Sequence, residues 1–470
     1  MTTLGAQRAS SRHEGAPGNH RLAITGWALF DWAAQPFFTL VTTFIFAPYF
    51  VTHAVGDPVR GQELWGYAVA SAGVAIAVLS PVLGAIADAG GPRKSWIAAA
   101  SFLFAVGASA LWWAEPGLPH GVLVVIAAFV AATVGAEMAT VFTNAMLPDI
   151  AAPTRIGRTS GLGWAVGYVG GLISLAAMMA LFLADPLSGL TLAGLTPLFD
   201  LDPEAFEGDR FTGPFSALWY LVFVLPLFIL VPDRPHRARL RTAIPAGLRS
   251  LRKTVARLAA RGPVARYLLA RMIFHDGLIA LFNFGGAYAA ATFDWRAQEV
   301  GLFGITVIVA ATFGAVIGGH LDDRFGPRRL ILAGLMILAI ATLGILSVGR
   351  DHIAFVIPVA PGDGSGPFAS AAELAYLTGG CLIGLVAGPI QSAGRSLLVH
   401  LAPKEEMTEY FGLYALAGRA TVFAGPLLIG IVTALSGSLR IGISVILVFL
   451  IGGWALLLTV PETVGPEDRA

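Results

Sequence analysis

Apolar runs long enough to cross a bilayer recur along the chain. They lie at 22–50, 64–88, 95–114, 120–147, 158–184 and 215–231, then at 267–292, 299–320, 329–349, 372–399, 408–435 and 440–460. The pattern predicts an all-α membrane protein of twelve spans, with six-helix halves at 22–231 and 267–460. Polar tails at 1–21 and 461–470 flank the halves, and a polar segment at 232–266 joins them. The first tail carries Arg8 and Arg12 and has no apolar core, so it reads as a cytoplasmic tail; the first apolar run is too long for a signal core. RSLRKTVARLAARG in the joining segment reads either as a basic amphipathic helix against a leaflet or as a solvated linker helix.

Two strings divide the chain into repeats. GAIADAGGPRK at 84–94 and GHLDDRFGPRR at 319–329 are offset by 235 residues, half of the 470. Gly84, Asp88, Gly91, Pro92, Arg93 and Lys94 fall on Gly319, Asp323, Gly326, Pro327, Arg328 and Arg329. Each string sits between two apolar runs, where Gly permits a tight turn and Pro opens the next helix without losing a needed donor. Asp88 and Asp323 are therefore candidates for contacts that break as the protein changes shape. Other positions repeat as well: Asp31 with Asp276, Pro153 with Pro403, and Gly161 with Gly412. Parallel halves of this kind imply a site between them near the midplane, reached alternately from either side. The paired loops resemble the signature of the major facilitator superfamily, whose fold the resemblance implies.

Composition agrees: 56% of residues are hydrophobic and 13% charged, too apolar for a soluble core of this length. A net charge of +1 gives no case for nucleic-acid binding. The single cysteine, Cys381, excludes an intramolecular disulfide or a cysteine metal cluster. The histidines lack metal-ligand spacing, and no Gly-rich phosphate loop ends in Lys-Ser/Thr, so no metal, cofactor, enzyme or ATP-driven pump is expected. Nothing asks for more than a monomer. With the N-terminus inside, the cytoplasmic segments hold 22 Lys and Arg and the outer loops five, which predicts cytoplasmic termini.

The remaining three basic residues, Arg271, Arg395 and Arg419, lie inside spans, as do the acids Asp31, Glu137 and Asp276, with His275 beside the last. Intramembrane charge is costly unless paired or facing water, so each is a functional candidate; structural ion pairs locking the halves are the alternative. Asp31 and Gln35, like Gln391 and Arg395, are four apart, and Glu137–Asn144 and Asp276–Asn283 are seven apart. Each pair shares a helix face, giving spans 1, 4, 7 and 10 an inward polar stripe. The three carboxylates are candidate proton carriers, and His275 is a candidate titrating group or a structural histidine. His320 reads as part of its turn.

WALFDWAAQPFFT, GAEMATVFTNAMLPDIA, GRTSGLGWAVGYVGG, RMIFHDGLIALFNFGGAYA and GPIQSAGRSLLVHLAPKEEMTEYFGLYALAGR together resemble the vacuole-effluxer (autophagy-related, Atg22-like) family. That resemblance implies amino-acid efflux, as in fungal members. It points to Asp31, Glu137, Asn144, Arg271, Asp276, Gln391 and Arg395. Span 1 departs from the family's DWANSAF, reading DWAAQPF, and Pro36 predicts a kink. Tyr168 stands where the antiporter motif of facilitator exporters carries proline, so antiport gains no support. The reading is a secondary transporter of a small polar or zwitterionic metabolite, amino acids being the candidate class and protons the candidate coupling ion, in a bacterial inner membrane. One alternative is an exporter of amphipathic compounds, with Phe37, Phe38, Trp164 and Phe282 as pocket candidates. The other is a non-transporting receptor docking through 232–266.

Overall fold

The computed structural model describes residues 17–185, 188–235, 237–259, 262–295, 297–360, 368–422 and 424–462. Arg8, Arg12 and Arg296 lie outside the described residues. Eleven described helices are long and apolar enough to cross a membrane. They are span 1 (His20–Ala54), span 2 (Pro58–Gly90), span 3 (Lys94–Trp113), span 4 (Val122–Ile150), span 5 (Pro153–Leu181) and span 6 (Glu207–Leu230). The second half has span 7 (Pro263–Phe293), span 8 (Glu299–Phe325), span 9 (Pro327–Leu346), span 10 (Ala371–Leu401) and span 12 (Leu439–Leu457). Span 11, expected to be continuous, is divided into Met407–Ala417 and Ala424–Ser436. Pro426 explains the division, because it cannot donate to the carbonyl four residues back and its ring crowds that carbonyl.

Pro36 acts similarly in span 1. The α-helix Pro17–Pro36 gives way to wider π-type turns over Phe37–Phe44. The carbonyl of Trp32, which Pro36 leaves without its helical donor, accepts instead from the indole Nε1 of Trp219 at 3.1 Å. A short hairpin of β1 (His352–Ile353) and β2 (Ile357–Pro358) caps the loop between spans 9 and 10.

Two seams join the halves on the face that carries the repeated loops, called the basic face below. At one, spans 2 and 11 interlock: a Cβ on Gly84 would stand 2.5 Å from the Thr408 carbonyl oxygen, and one on Gly412 would collide with the Ser80 backbone. At the other, spans 5 and 8 interlock, with Gly161 against Ala315 and Gly319 against the backbone of Gly157 and Arg158. The glycines that pair in the sequence repeat thus occupy equivalent places on two seams. Close backbone approach of this kind needs small residues in a membrane, where apolar surface alone does not drive association. The turns behave as the motif requires, with Gly91 at φ 106° and Gly326 at φ 89°.

The polar joining segment forms a linker helix, Leu240–Ala259. Gly247 lies on the backbone of Ala85 and Ile86 in span 2, and Ala243 and Thr254 are buried on that side. Leu240, Ile244, Leu248 and Val255 remain exposed.

Candidate functional site

A cavity of about 370 Å³ opens between the halves, lined by nine of the eleven candidate substrate or coupling residues. Asp31, Gln35, Glu137, Asn144, Arg271, His275, Gln391, Arg395 and Arg419 all face it. Asn283 instead lines an adjoining chamber. Asp276 lines neither; it is buried, and its Oδ1 lacks a hydrogen-bond partner among the described residues.

Helical geometry accounts for this sorting. Arg271, His275 and Leu278 follow one another at four- and three-residue steps and share the cavity face of span 7. Asp276 is one residue past His275, about 100° around the helix, and the break in span 11 packs there, with Gly425 over the Asp276 backbone.

The charges meet in pairs that cross between halves. Arg395 on span 10 donates from Nη1 to Asp31 Oδ2 at 3.1 Å and to Asn144 Oδ1 at 3.0 Å. Its Nε donates to Ser160 Oγ at 3.1 Å and its Nη2 to the Ser160 carbonyl at 2.7 Å, between the rings of Trp27 and Trp164. Arg419, in the non-helical break of span 11, pairs with Glu137 on span 4. Irregular backbone at membrane depth is tolerated where it lines such a cavity.

Arg271 differs from both. Its Nη1 donates to the Tyr414 carbonyl at 2.9 Å and its guanidinium lies 3.5 Å from the centre of the Tyr414 ring. Among the described residues no carboxylate stands within ion-pair distance of it. The Nδ1 of neighbouring His275 is buried without a hydrogen-bond partner among the described residues. A cavity holding three guanidiniums and two carboxylates therefore has one positive group left for a ligand.

The basic face is sealed by the repeated acids. Asp88 accepts from Thr408 Oγ1 at 2.6 Å and from the backbone N–H of Glu409 at 2.9 Å, at the start of span 11. Asp323 accepts from the backbone N–H of Arg158 at 3.2 Å, at the start of span 5. Each carboxylate thus meets the positive end of a helix in the other half. Sequence reasoning missed Ser160, Thr408, Tyr414, Asp149 and Arg234. All but Arg234 lie inside the quoted strings, but their partners are too far along the chain for spacing to show. Of the aromatic candidates, Phe38 and Trp164 line the cavity and Phe282 the adjoining chamber, whereas Phe37 is buried against Phe104 and Phe129.

Two six-helix repeats closing around a charged cavity are the architecture of a major facilitator transporter. Solved structures agree in fold: FucP in the outward conformation (TM-score 0.64, 14% identity, 94% of this chain and 99% of that one). The proton:xylose symporter XylE, bound to 6-bromo-6-deoxy-D-glucose, superposes with TM-score 0.67 at 15% identity, over 94% of this chain and 95% of that one. Within that class the chain belongs to the vacuole effluxer Atg22-like family, whose model matches residues 66–470. The uncharacterized MFS-type transporter YxiO of Bacillus subtilis is 25% identical over 439 residues, 93% of this chain and 94% of that protein. Autophagy-related protein 22-1 of Penicillium rubens is 24% identical over 328 residues, 66% of this chain and 50% of that protein. The chain spans about half the length of the fungal relatives it matches.

Proposed function

We propose that this transporter moves a small carboxylate-bearing metabolite, amino acids included, outward across a bacterial inner membrane by alternating access, with protons as the coupling ion. The observation that carries the reading is Arg271, a guanidinium in the cavity with no carboxylate among the described residues within ion-pair distance. A planar guanidinium favours a bidentate carboxylate partner. Glu137 and Asp31 stand across the same cavity as acceptors for a substrate ammonium.

Coupling follows from the two cross-half pairs. A proton taken by Asp31 would cancel its attraction for Arg395, and one taken by Glu137 would do the same for Arg419. Either event loosens a link between halves and frees an arginine for substrate. The basic face, read as cytoplasmic from its excess of Lys and Arg, would then open as Asp88 and Asp323 leave the helix starts they bind.

The test is transport in proteoliposomes loaded with a mixed metabolite pool, read by mass spectrometry with and without a pH gradient. Wild-type protein should release a few carboxylates selectively and in response to the gradient. Arg271→Gln should reduce that flux at least about tenfold, the worth of one charge-assisted hydrogen bond. Asp31→Asn should retain exchange but lose the response to the gradient. Selective flux that Arg271→Gln leaves unchanged would refute the carboxylate assignment.

A further inference from the structure

The charged cavity does not end at its own walls. A second chamber of about 420 Å³ continues from it toward the face opposite the basic one, and the two share Gln35, Phe38, Trp164 and Gln391. At this waist Gln391 Nε2 donates to the Tyr168 hydroxyl at 3.1 Å. The chamber is of another character: among the described residues no Asp, Glu, Lys, Arg or His lines it. It reaches past the inner spans into the second half, to Thr342 and Ile345 on span 9 and Ile443 and Ile446 on span 12.

Its size needs a reason. Protein interiors are close-packed, with few voids larger than a water molecule, whereas ligand pockets are concave, mostly apolar and marked by a few polar groups that fix orientation. The two chambers in series match the second description, with the charged groups at one end and only uncharged polar side chains such as Thr39, Asn283 and Thr342 in the other. Length narrows the occupant further. Arg271 and Leu281 stand ten residues apart on span 7, roughly 15 Å along the axis at the usual helical rise. A free amino acid holding its carboxylate at Arg271 is too short to reach the chamber.

We infer that the solute is an organic acid with an extended apolar body, held by its carboxylate at Arg271 and threading the Gln391–Tyr168 waist into the charge-free chamber. The inference rests on the carboxylate role proposed for Arg271. It assigns the chamber as the specificity-determining part of the site and predicts a preference for long acyl or arylalkyl acids over short ones.

The probes are phenylacetate, phenylbutyrate and phenyloctanoate, with binding to protein in nanodiscs measured by tryptophan fluorescence and empty nanodiscs subtracted. Burial of each added methylene favours binding by about fourfold at most, so phenyloctanoate should bind at least about tenfold tighter than phenylbutyrate. Gly304 lines the chamber with nothing nearer than the Phe44 ring at 3.7 Å from a built Cβ, so Gly304→Leu fills space rather than forcing a clash. That variant should abolish the gain for phenyloctanoate while keeping the affinity for phenylacetate, and Ile446→Phe should do the same from span 12. Equal affinity for the two longer acids, or a gain that survives both variants, overturns the inference. In that case uniform weakening of all three acids by Arg271→Gln would leave the carboxylate reading intact. Indifference of all three to Arg271→Gln would overturn both.

Discussion

The two loop motifs share a string and a position in the fold, yet their arginines act differently. Arg93 is 1% exposed and joins both halves: Nε donates to Thr408 Oγ1 at 2.8 Å, Nη1 to the Ala145 carbonyl and Asp149 Oδ2 at 2.8 Å each, and Nη2 to Asp88 Oδ1 at 3.2 Å. Arg234 adds a second cation over Asp149, at 2.9 Å. Arg328, the counterpart of Arg93, turns away from Asp323 and donates to the carbonyls of Leu457 and Leu458 at the end of span 12, within its own half. Asp323 is paired instead with the half-exposed Arg158, at 3.0 Å. What the repeats share is a carboxylate against the start of a helix in the other half. What separates them is burial and the reach of the loop's own arginine. Arg93 is buried and also bonds Thr408 in the other half, whereas Arg328 stays within its half and Asp323 is left to the half-exposed Arg158. One side is thus a latch and the other a hinge contact.

The widest separation between the two sides should come from the arginines. A cysteine replacing the buried Ser80, in a Cys381→Ala background, would be labelled only when the seam between spans 2 and 11 opens. Arg93→Ala removes the nearer cation from buried Asp88 and leaves it only Arg234 at 3.8 Å, a loss approaching about 3–5 kcal/mol that opening relieves by letting water reach the carboxylate. Labelling should rise on the order of a hundredfold. Arg328→Ala breaks only bonds within one half and should leave the rate unchanged. Equal rates in the two variants would remove the distinction between latch and hinge.

The glycines test what the sides have in common. Gly161 lies on the seam opposite the reporter, where an added methyl meets the Ala315 carbonyl. Overpacking there costs about 1–3 kcal/mol, so Gly161→Ala should raise Ser80→Cys labelling about tenfold if the seams open together. An unchanged rate would mean that the seams open independently, contrary to rigid rocking of the halves.

Much of this comparison was legible in the sequence. The spans followed from hydropathy, the halves from the loop strings, and the seam glycines from the pairing of Gly84 with Gly319 and Gly161 with Gly412. The helix-face argument also placed Asp31 with Gln35, Glu137 with Asn144 and Gln391 with Arg395 on one cavity. It failed at Asp276, because a seven-residue relation to Asn283 defines a shared face without saying which face looks inward. The neighbours Arg271 and His275, four apart, carried that information. The break in span 11 was signalled by Pro426 but masked by the apolar run around it. The cross-half pairs were not legible: Asp31 and Arg395 stand 364 residues apart, and only tertiary packing chooses Arg395 rather than Arg271 as the partner. The divergence of Arg93 from Arg328 depends on Asp149 and Arg234, residues outside the repeated string.

The last position of the motif offers the smallest and most discriminating contrast. Lys94 Nζ donates to the Phe228 carbonyl at 2.8 Å in a partly buried setting, near the end of span 6. There a cation also meets the negative end of the helix. Its counterpart Arg329 pairs with Glu462 at 3.0 Å with 67% of its side chain exposed. Exposed pairs contribute about 0–1 kcal/mol because water and salt screen them, whereas a hydrogen bond to a charged donor in a partly buried site is worth about 1.5–3 kcal/mol. Thermal unfolding followed by tryptophan fluorescence should therefore show a clear loss for Lys94→Ala and almost none for Arg329→Ala, and raising the salt should shrink only the second effect. If Arg329→Ala proved the more damaging, the tighter packing assigned to the first loop would be confined to Arg93 and its carboxylates.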